Sequence, residues 1–389
     1  MSSKATIQKQ NYERVACIFQ GGGSLGAYQV GAFKAIIERG YKPNFYAGVS
    51  MGAINCAIIA GNPPEKQYEQ LIAFWGSLSP RLWSISMSSI EEIDFLNYFY
   101  NQTSALHALC YGVEGFFKPR IIPPLDWLSY SLDELSYYDI SPLKSTLEKF
   151  VDFDRINSKE LVLCLGAVKA SSGEVVYFNN QEIRIEPEHV IASCSLPPSF
   201  PAIKIEDEYY WDGGVFANTP LFAVVDLEPC VDTLCFAVDC FSLSGEYPQN
   251  MEQLRLRIKN IQAASRTRRL TEALTRRRNL QKVIKFLGEK LPLETKREPY
   301  IQKLLKLGED KRLSVVHLIH AGLSNDNTTR SYNFSPAAIR NRILAGYKEA
   351  IAVLKDPQWE NMPTGNVPPI NYGFCAEYFG EKKKKSDLK

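Results

Sequence analysis

The sequence predicts an α/β protein of three layers, in which helices cover both faces of a mainly parallel central sheet. Two apolar runs near the start, residues 15–20 and 45–47, each lead through a glycine-rich turn into a helix. Further apolar runs at 231–240 and 313–322 are typical of buried strands. Strands that alternate with helical segments favour a parallel sheet with helices packed on it. The chain has 389 residues, 45% of them hydrophobic, and can therefore bury a large core.

The first apolar run opens into the loop Gly21–Gly26, which contains three consecutive glycines. Glycines leave backbone N–H groups unshielded, and the helix that begins near Ala27 adds its positive end, so the loop predicts an anion site. A phosphate loop would need Lys and then Ser or Thr after the last glycine, but Ala27 and Tyr28 stand there. We therefore interpret the loop as an oxyanion hole for acyl transfer.

The second apolar run closes into Gly48-Val49-Ser50-Met51-Gly52, a Gly-x-Ser-x-Gly motif. Glycines on both sides of a serine allow a strand to turn abruptly into a helix and leave the serine strained but exposed. The apolar helix predicted at 53–60 ends at Gly61, as this context requires. Ser50 is therefore a candidate nucleophile, and the alternative is an ordinary helix start capped by Ser50.

Three motifs in this order resemble the patatin-like phospholipase family of bacterial type. They are the Gly-Gly-Gly-x-x-Gly loop, the Gly-x-Ser-x-Gly turn and Asp212-Gly213-Gly214 followed by Asn218-x-Pro220, and the segment 192–201 is also similar. The resemblance covers about residues 14–240 and implies a Ser–Asp dyad that acts on acyl esters of lipids. It implies that the nucleophile is Ser50, the base is Asp212, and the oxyanion donors are the amides of Gly21, Gly22 and Gly23.

The loop departs from the family pattern at two positions. The family often has aspartate before the glycines and arginine before the last of them, whereas this chain has Gln20 and Leu25. The missing arginine weakens the case for a phosphate-bearing substrate more than the case for ester hydrolysis.

Two other residues compete with Asp212 for the role of base. Asp239 lies near the end of the apolar run 231–240, and His320 would complete the order serine, acid, histidine of an α/β-hydrolase triad. We favour the dyad because the glycine loop precedes the Gly-x-Ser-x-Gly turn and Asp212 has its own glycine turn.

The remaining chain suggests a domain plan. We expect a flexible N-terminus at 1–13, a catalytic domain at 14–240, a basic helical extension packing on it at 241–356, and a disordered tail at 357–389. Within the catalytic domain, the aromatic-rich segment 80–138 either caps the site or fills a small core of its own. Three strands are predicted between the aromatic-rich segment and Asp212, at 160–170, 174–178 and 182–186.

Residues 251–290 are the most basic segment, with twelve lysines and arginines against three glutamates and with apolar residues at helical spacing. Such a helix can make peripheral contact with an anionic membrane, bind an acidic partner, or simply pack one face and hydrate the other. Nucleic acid is not expected, because no aromatic or glycine-rich recognition motif accompanies the charge.

Composition excludes other classes of protein. The nine cysteines have no zinc spacing and are typical of reduced buried thiols, so we expect no metal. The Ser–Asp mechanism that the resemblance implies requires no cofactor. No signal-like or membrane-spanning apolar run is present, which predicts a soluble, cytoplasmic protein. The net charge of +2 indicates no particular partner, and the oligomeric state stays open.

Together these features predict a serine acyl hydrolase that cleaves carboxylic esters of lipids, as a phospholipase A or lysophospholipase does. The same site could instead serve a polyester depolymerase, a thioesterase or an acyltransferase. From another class, the chain could be a membrane-binding scaffold with a vestigial hydrolase site.

Overall fold

A computed structural model describes residues 12–79, 94–216, 218–225, 231–308, 313–323, 326–355 and 371–374. The first half contains β1 (Arg14–Phe19), α1 (Ala27–Glu38), β2 (Phe45–Val49), α2 (Met51–Ala60), α3 (Gln67–Ser77), α4 (Asp94–Tyr111), β3 (Lys118–Pro119), β4 (Tyr138–Asp139), α5 (Pro142–Phe150), α6 (Phe153–Asn157), β5 (Val162–Lys169) and β6 (Val175–Asn179). The second half contains α7 (Pro187–Cys194), β7 (Ile203–Ile205), β8 (Glu208–Asp212), α8 (Phe222–Val225), β9 (Thr233–Asp239), α9 (Met251–Lys290), α10 (Leu293–Lys296), α11 (Pro299–Leu307), β10 (Leu313–Ile319), α12 (Pro336–Leu354) and β11 (Asn371–Phe374).

Nine of the described strands form one sheet, in the order β11-β10-β9-β1-β2-β5-β8-β7, with β6 also paired to β5. All neighbours from β11 to β5 are parallel, whereas β6, β7 and β8 pair antiparallel. The predicted mainly parallel sheet is thus confirmed. Strand β1 lies between β9 and β2, so the glycine turns that follow β1 and β2 emerge side by side at one edge of the sheet.

The two faces of β1 pack against different helices, which gives the three predicted layers. Cys17 and Phe19 belong to the larger core, to which α1, α2 and α12 contribute. Ala16 and Ile18, on the opposite face, pack with α8 and with Leu274 of α9. Alternate residues of a strand point to opposite faces, so a run that is buried on both faces is apolar throughout, as this one is.

The chain beyond residue 240 is part of the same core. Strand β10 pairs with β9 in the central sheet, and α12 packs along α1. The two helices cross where each has a glycine: a Cβ at Gly31 would lie 1.9 Å from Ile343 O, and one at Gly346 would lie 2.0 Å from Tyr28 O. The predicted extension therefore contributes a strand and a tightly packed helix to the domain that it was expected to pack on.

The structure differs from the predicted elements in three places. Residues 182–186 form a turn and not a strand, because the Asn157 side chain bonds both the N–H and the C=O of Ile185 in place of a strand neighbour. Helix α4 occupies 18 residues of the aromatic segment, where no helical period was recognised. Within the tail that was expected to be disordered, β11 pairs with β10. Residues 1–11, 80–93 and 375–389, on which other predictions fall, lie outside the described residues.

Candidate active site

Ser50 occupies the sharp turn between β2 and α2 that its flanking glycines predict. Its backbone has φ 58° and ψ −131°, in the region that costs free energy for any residue other than glycine. The flanking glycines are required, since a Cβ at Gly48 would lie 2.4 Å from Gly52 O and one at Gly52 would lie 2.3 Å from Phe19 O. Ser50 makes no side-chain cap hydrogen bond to α2, so its side chain does not act as a helix cap.

Asp212 lies at the end of β8 and is the hydrogen-bond partner of the Ser50 side chain. Its carboxylate also accepts the N–H of Gly214 at 2.7 Å, and the residue is 1% exposed. Burial raises the pKa of Asp212 to about 7, although these two hydrogen bonds lower it in part. A carboxylate with this pKa is matched to proton transfer near neutral pH.

The glycine loop lies against Ser50, but only part of it is free to bind an oxyanion. A Cβ at Gly21 would lie 2.9 Å from the Ser50 Cβ, so only glycine permits this approach. The N–H of Gly21 donates to Asn218 O at 3.1 Å, and the Asn218 amide donates back to Gly21 O at 2.6 Å. The N–H groups of Gly22 and Gly23 have no acceptor among the described residues. Of the three predicted donors, Gly21 thus has its N–H occupied within the protein, whereas the N–H groups of Gly22 and Gly23 have no described acceptor.

The two rival groups lie away from Ser50. The Asp239 carboxylate lies 2.7 Å from His317 Nδ1 and accepts the Thr219 hydroxyl at 3.2 Å. His320 is 1% exposed and lies against the Tyr28 ring, with centroids 4.6 Å apart and planes tilted by 34°. Burial lowers the pKa of His320 to about 3. Neither Asp239 nor His320 lines the cavity into which Ser50 opens.

Ser50, Asp212 and the loop glycines share a cavity of about 340 Å³. An aromatic cluster forms one wall, with ring centroids 5.3 to 6.1 Å apart. Its members are Phe116, Phe117, Phe200 and Phe334. The first two belong to the predicted insertion, whose other aromatic side chains include the surface residue Trp127, 79% exposed. The insertion thus supplies part of the cavity wall as well as part of the surface.

Helix α9 forms another wall of this cavity, and the sequence did not reveal it. Lys259, Gln262, Ala263 and Arg266 all line the cavity. The last three follow Lys259 by three, four and seven residues, which places all four on one face of the helix. This spacing could have been recognised in the sequence. Which face of a 40-residue basic helix turns inward could not be read from charge alone.

The two positions that depart from the family pattern both contact α9 or its surroundings. The Gln20 amide donates to Thr267 Oγ1 at 3.2 Å and accepts the N–H of Cys240 at 2.6 Å. Leu25 is completely buried in a small cluster with Phe241 and Ala264. Gln20 and Leu25 therefore fit the loop to the helix that lies over it.

Comparisons with known proteins agree with these motifs. The sequence profile described as patatin-like phospholipase matches residues 17–225, more than half of the chain, and one described as patatin phospholipase matches residues 261–366.

Individual relatives are more distant. The triacylglycerol lipase SDP1L of Arabidopsis thaliana is 40% identical over 57 residues, and a patatin-like phospholipase domain-containing protein of Chaetomium globosum is 37% identical over 62. These matches span 14% and 16% of this chain and 7% of each relative. The crystal structure of VipD from Legionella pneumophila aligns with 88% of this chain and 66% of its own, at 12% identity and a TM-score of 0.36. On the profile match over more than half of its length, the chain belongs to the patatin-like phospholipase family.

Proposed function

We propose that this protein is a serine acyl hydrolase that cleaves carboxylic esters of lipids, in the manner of a phospholipase A or lysophospholipase. The observation that carries the proposal is the contact between the strained Ser50 and the buried Asp212 carboxylate. The amides of Gly22 and Gly23, for which the described part of the chain offers no acceptor, line the same cavity. Nucleophile, base and oxyanion donors within one cavity are the parts that acyl transfer requires.

The reaction would proceed through an acyl-enzyme. Asp212 takes the proton of the Ser50 hydroxyl as Oγ attacks the ester carbonyl, and the amides of Gly22 and Gly23 bind the resulting oxyanion. The intermediate collapses, and the leaving alcohol takes the proton from Asp212. Water then attacks the acyl-enzyme, gives its proton to Asp212, and releases the carboxylic acid as the proton returns to Ser50.

The cavity wall supports a lipid as the acyl donor. A cluster of four phenylalanines, in which Phe116 packs against each of the other three, offers an apolar surface for an acyl chain. A short polyester unit or the polar carrier of a thioester would gain less from this wall. We therefore favour lipid esters over the other acyl substrates that the same residues could serve.

A fluorophosphonate probe tests the proposal, since it reacts only with an activated serine. We expect labelling of the wild-type protein and none of Ser50→Ala. Ser199→Ala is the matched control, because Ser199 lines the same cavity and should not affect labelling. A folded wild-type protein that stays unlabelled would instead favour a scaffold with a vestigial site.

We infer that the protein reaches its lipid by peripheral contact with an anionic lipid surface. No helix in the described ranges has both the length and the apolar character needed to cross a membrane. The last turns of α9 expose four apolar side chains by 53 to 64%, namely Leu280, Val283, Phe286 and Leu287. Lys282, Lys285 and Lys290 lie among them. Apolar side chains interspersed with cations are complementary to an anionic bilayer.

Co-sedimentation with vesicles tests this contact. Binding to phosphatidylglycerol vesicles should exceed binding to phosphatidylcholine vesicles and should decrease with salt. A Leu280→Asp/Phe286→Asp variant should bind about tenfold more weakly, since two apolar anchors are lost. Leu344→Asp, on α12 and 49% exposed, is the control. Unchanged vesicle binding of the double variant would refute the lipid contact. So would a wild-type dimer in solution that the two substitutions dissociate, because the apolar side chains would then face a second copy of the protein.

A further inference from the structure

The face of α9 that lines the active-site cavity has two cations. Lys259 and Arg266 lie seven residues apart, with Gln262 and Ala263 between them on the same face. Helix α9 is fixed beside the glycine loop through the Gln20–Thr267 hydrogen bond and the packing of Leu25 on Ala264. The two cations are therefore held in place by the same contacts that position the loop.

Lys259 has no counter-ion among the described residues. Its ammonium group donates to Thr328 O at 3.1 Å, which leaves two of its three N–H donors for other partners. In the part of the chain that the structure describes, no carboxylate lies within ion-pair distance of it. The side chain is half-buried, and burial lowers its pKa. Removing a charge from water without a partner costs free energy, which an anion in the cavity would offset.

Arg266 lies beside the turn that holds Asp212. Its guanidinium donates from one nitrogen to Gly214 O at 3.0 Å and Val215 O at 3.4 Å, while the N–H of Gly214 donates to the Asp212 carboxylate. No described carboxylate forms an ion pair with Arg266 either. The remaining nitrogens of a guanidinium present a fork that suits the oxygens of a phosphate.

The charges that line the cavity do not balance. Among its described lining residues, Lys259 and Arg266 are the cations and Asp212 is the acid. An ionised Asp212 therefore leaves a net positive cavity. A neutral ester would leave both cations unpaired, whereas an ester with an anionic group would supply the missing charge.

We propose that Lys259 and Arg266 form an anion-binding subsite for the alcohol portion of the substrate, so that acyl esters with a phosphate group are preferred over neutral ones. This inference rests on the proposed function. With the acyl chain on the aromatic wall and the carbonyl at Ser50, the alcohol portion remains to contact α9. Lys259 and Arg266 would thus determine specificity without taking part in bond breaking.

The test compares two substrates that differ only by a phosphate: 1-acylglycerol 3-phosphate and the 1-monoacylglycerol with the same acyl chain, both below their aggregation concentrations. Wild-type kcat/KM should be higher for the phosphate by about tenfold or more, as expected for charge-assisted hydrogen bonds. Lys259→Gln should lower this ratio by about tenfold. Arg266→Gln, which changes an exposed side chain, should lower it by about threefold. Because each variant is judged by the ratio of its two kcat/KM values, a loss of activity that affects both substrates equally does not change the result.

Arg268→Gln is the matched control, since Arg268 is exposed on the same helix and pairs with Glu272. It should leave the ratio unchanged. A separate arm measures whether inorganic phosphate inhibits monoacylglycerol hydrolysis; inhibition that is weakened in Lys259→Gln supports the subsite. A wild-type enzyme without preference, or a Lys259→Gln variant that keeps the full preference, would overturn the subsite. Absence of Ser50-dependent hydrolysis of both substrates would overturn the proposed function itself.

Discussion

Replacing Asp212 with asparagine is expected to lower kcat/KM for ester hydrolysis by about four orders of magnitude. Asparagine has nearly the same shape and can still accept the N–H of Gly214, so the turn should persist. It cannot take the proton of Ser50, however, and the nucleophile would lose its base. Steady-state kinetics on a chromogenic ester, together with a thermal unfolding curve for each variant, would measure the effect.

His320→Gln provides the contrasting variant. Because His320 is enclosed and does not line the cavity, this substitution should retain most of the activity. If His320→Gln lost several orders of magnitude while folded, and Asp212→Asn did not, the base would be the histidine and the dyad would be wrong.

The pH dependence of kcat/KM for the wild-type protein is an independent test of Asp212 as the base. Since burial raises the pKa of Asp212 to about 7, the carboxylate becomes protonated as the pH falls below this value. Only the ionised form can accept the proton of Ser50. We therefore expect kcat/KM to be constant above the pKa and to fall about tenfold per pH unit below it. A profile that stays flat down to pH 5 would assign the base to another group or a less buried carboxylate.

Replacing Arg342 with leucine is expected to lower the free energy of unfolding by about 3 to 5 kcal/mol. Arg342 is 1% exposed and donates to Ser24 O, Ser24 Oγ, Asn333 O and Arg330 O at 2.8 to 3.3 Å. Asp326 lies 4.0 Å away. Leucine would remove a donor from each of these four buried acceptors and one of the two cations beside the buried Asp326 carboxylate, which would keep its hydrogen bond from Arg330. Urea denaturation followed by circular dichroism would measure the loss.

Two further substitutions on α12 make this prediction specific. Arg342→Lys should be intermediate, because a single ammonium cannot reach all four acceptors of the planar guanidinium. Lys348→Leu, at an exposed position of the same helix, should change stability by less than about 0.5 kcal/mol. Wild-type stability of Arg342→Leu would mean that water replaces the guanidinium at no cost. Since Ser24 follows the loop glycines directly, the leucine variant should also lose activity.

The elements around Ser50 could be predicted from the sequence because their signals are local. A strand of consecutive apolar residues, a glycine on either side of Ser50 and a helix that ends at Gly61 all lie within about twenty residues. Strand β9 and helix α9 were predictable for the same reason. Asp212 was predicted as the base from its two following glycines together with the family resemblance.

The other features depend on contacts between distant parts of the chain. The amide of Gly21 is engaged by Asn218, 197 residues later, and no local pattern shows that a backbone donor has been used. Ser24 is held by Arg342, 318 residues later. The position of Lys259 on the cavity wall also depends on tertiary packing, since in the sequence it is one cation among twelve.

The glycine crossing between α1 and α12 affects how the protein is made. The first helix after the catalytic loop packs against the last long helix, and β1 lies in a sheet that also needs β10. A nascent polypeptide therefore cannot complete this packing until residue 354 has left the ribosomal exit tunnel. A chain that stops before α12 would leave the face of α1 at Gly31 without the helix that packs on it.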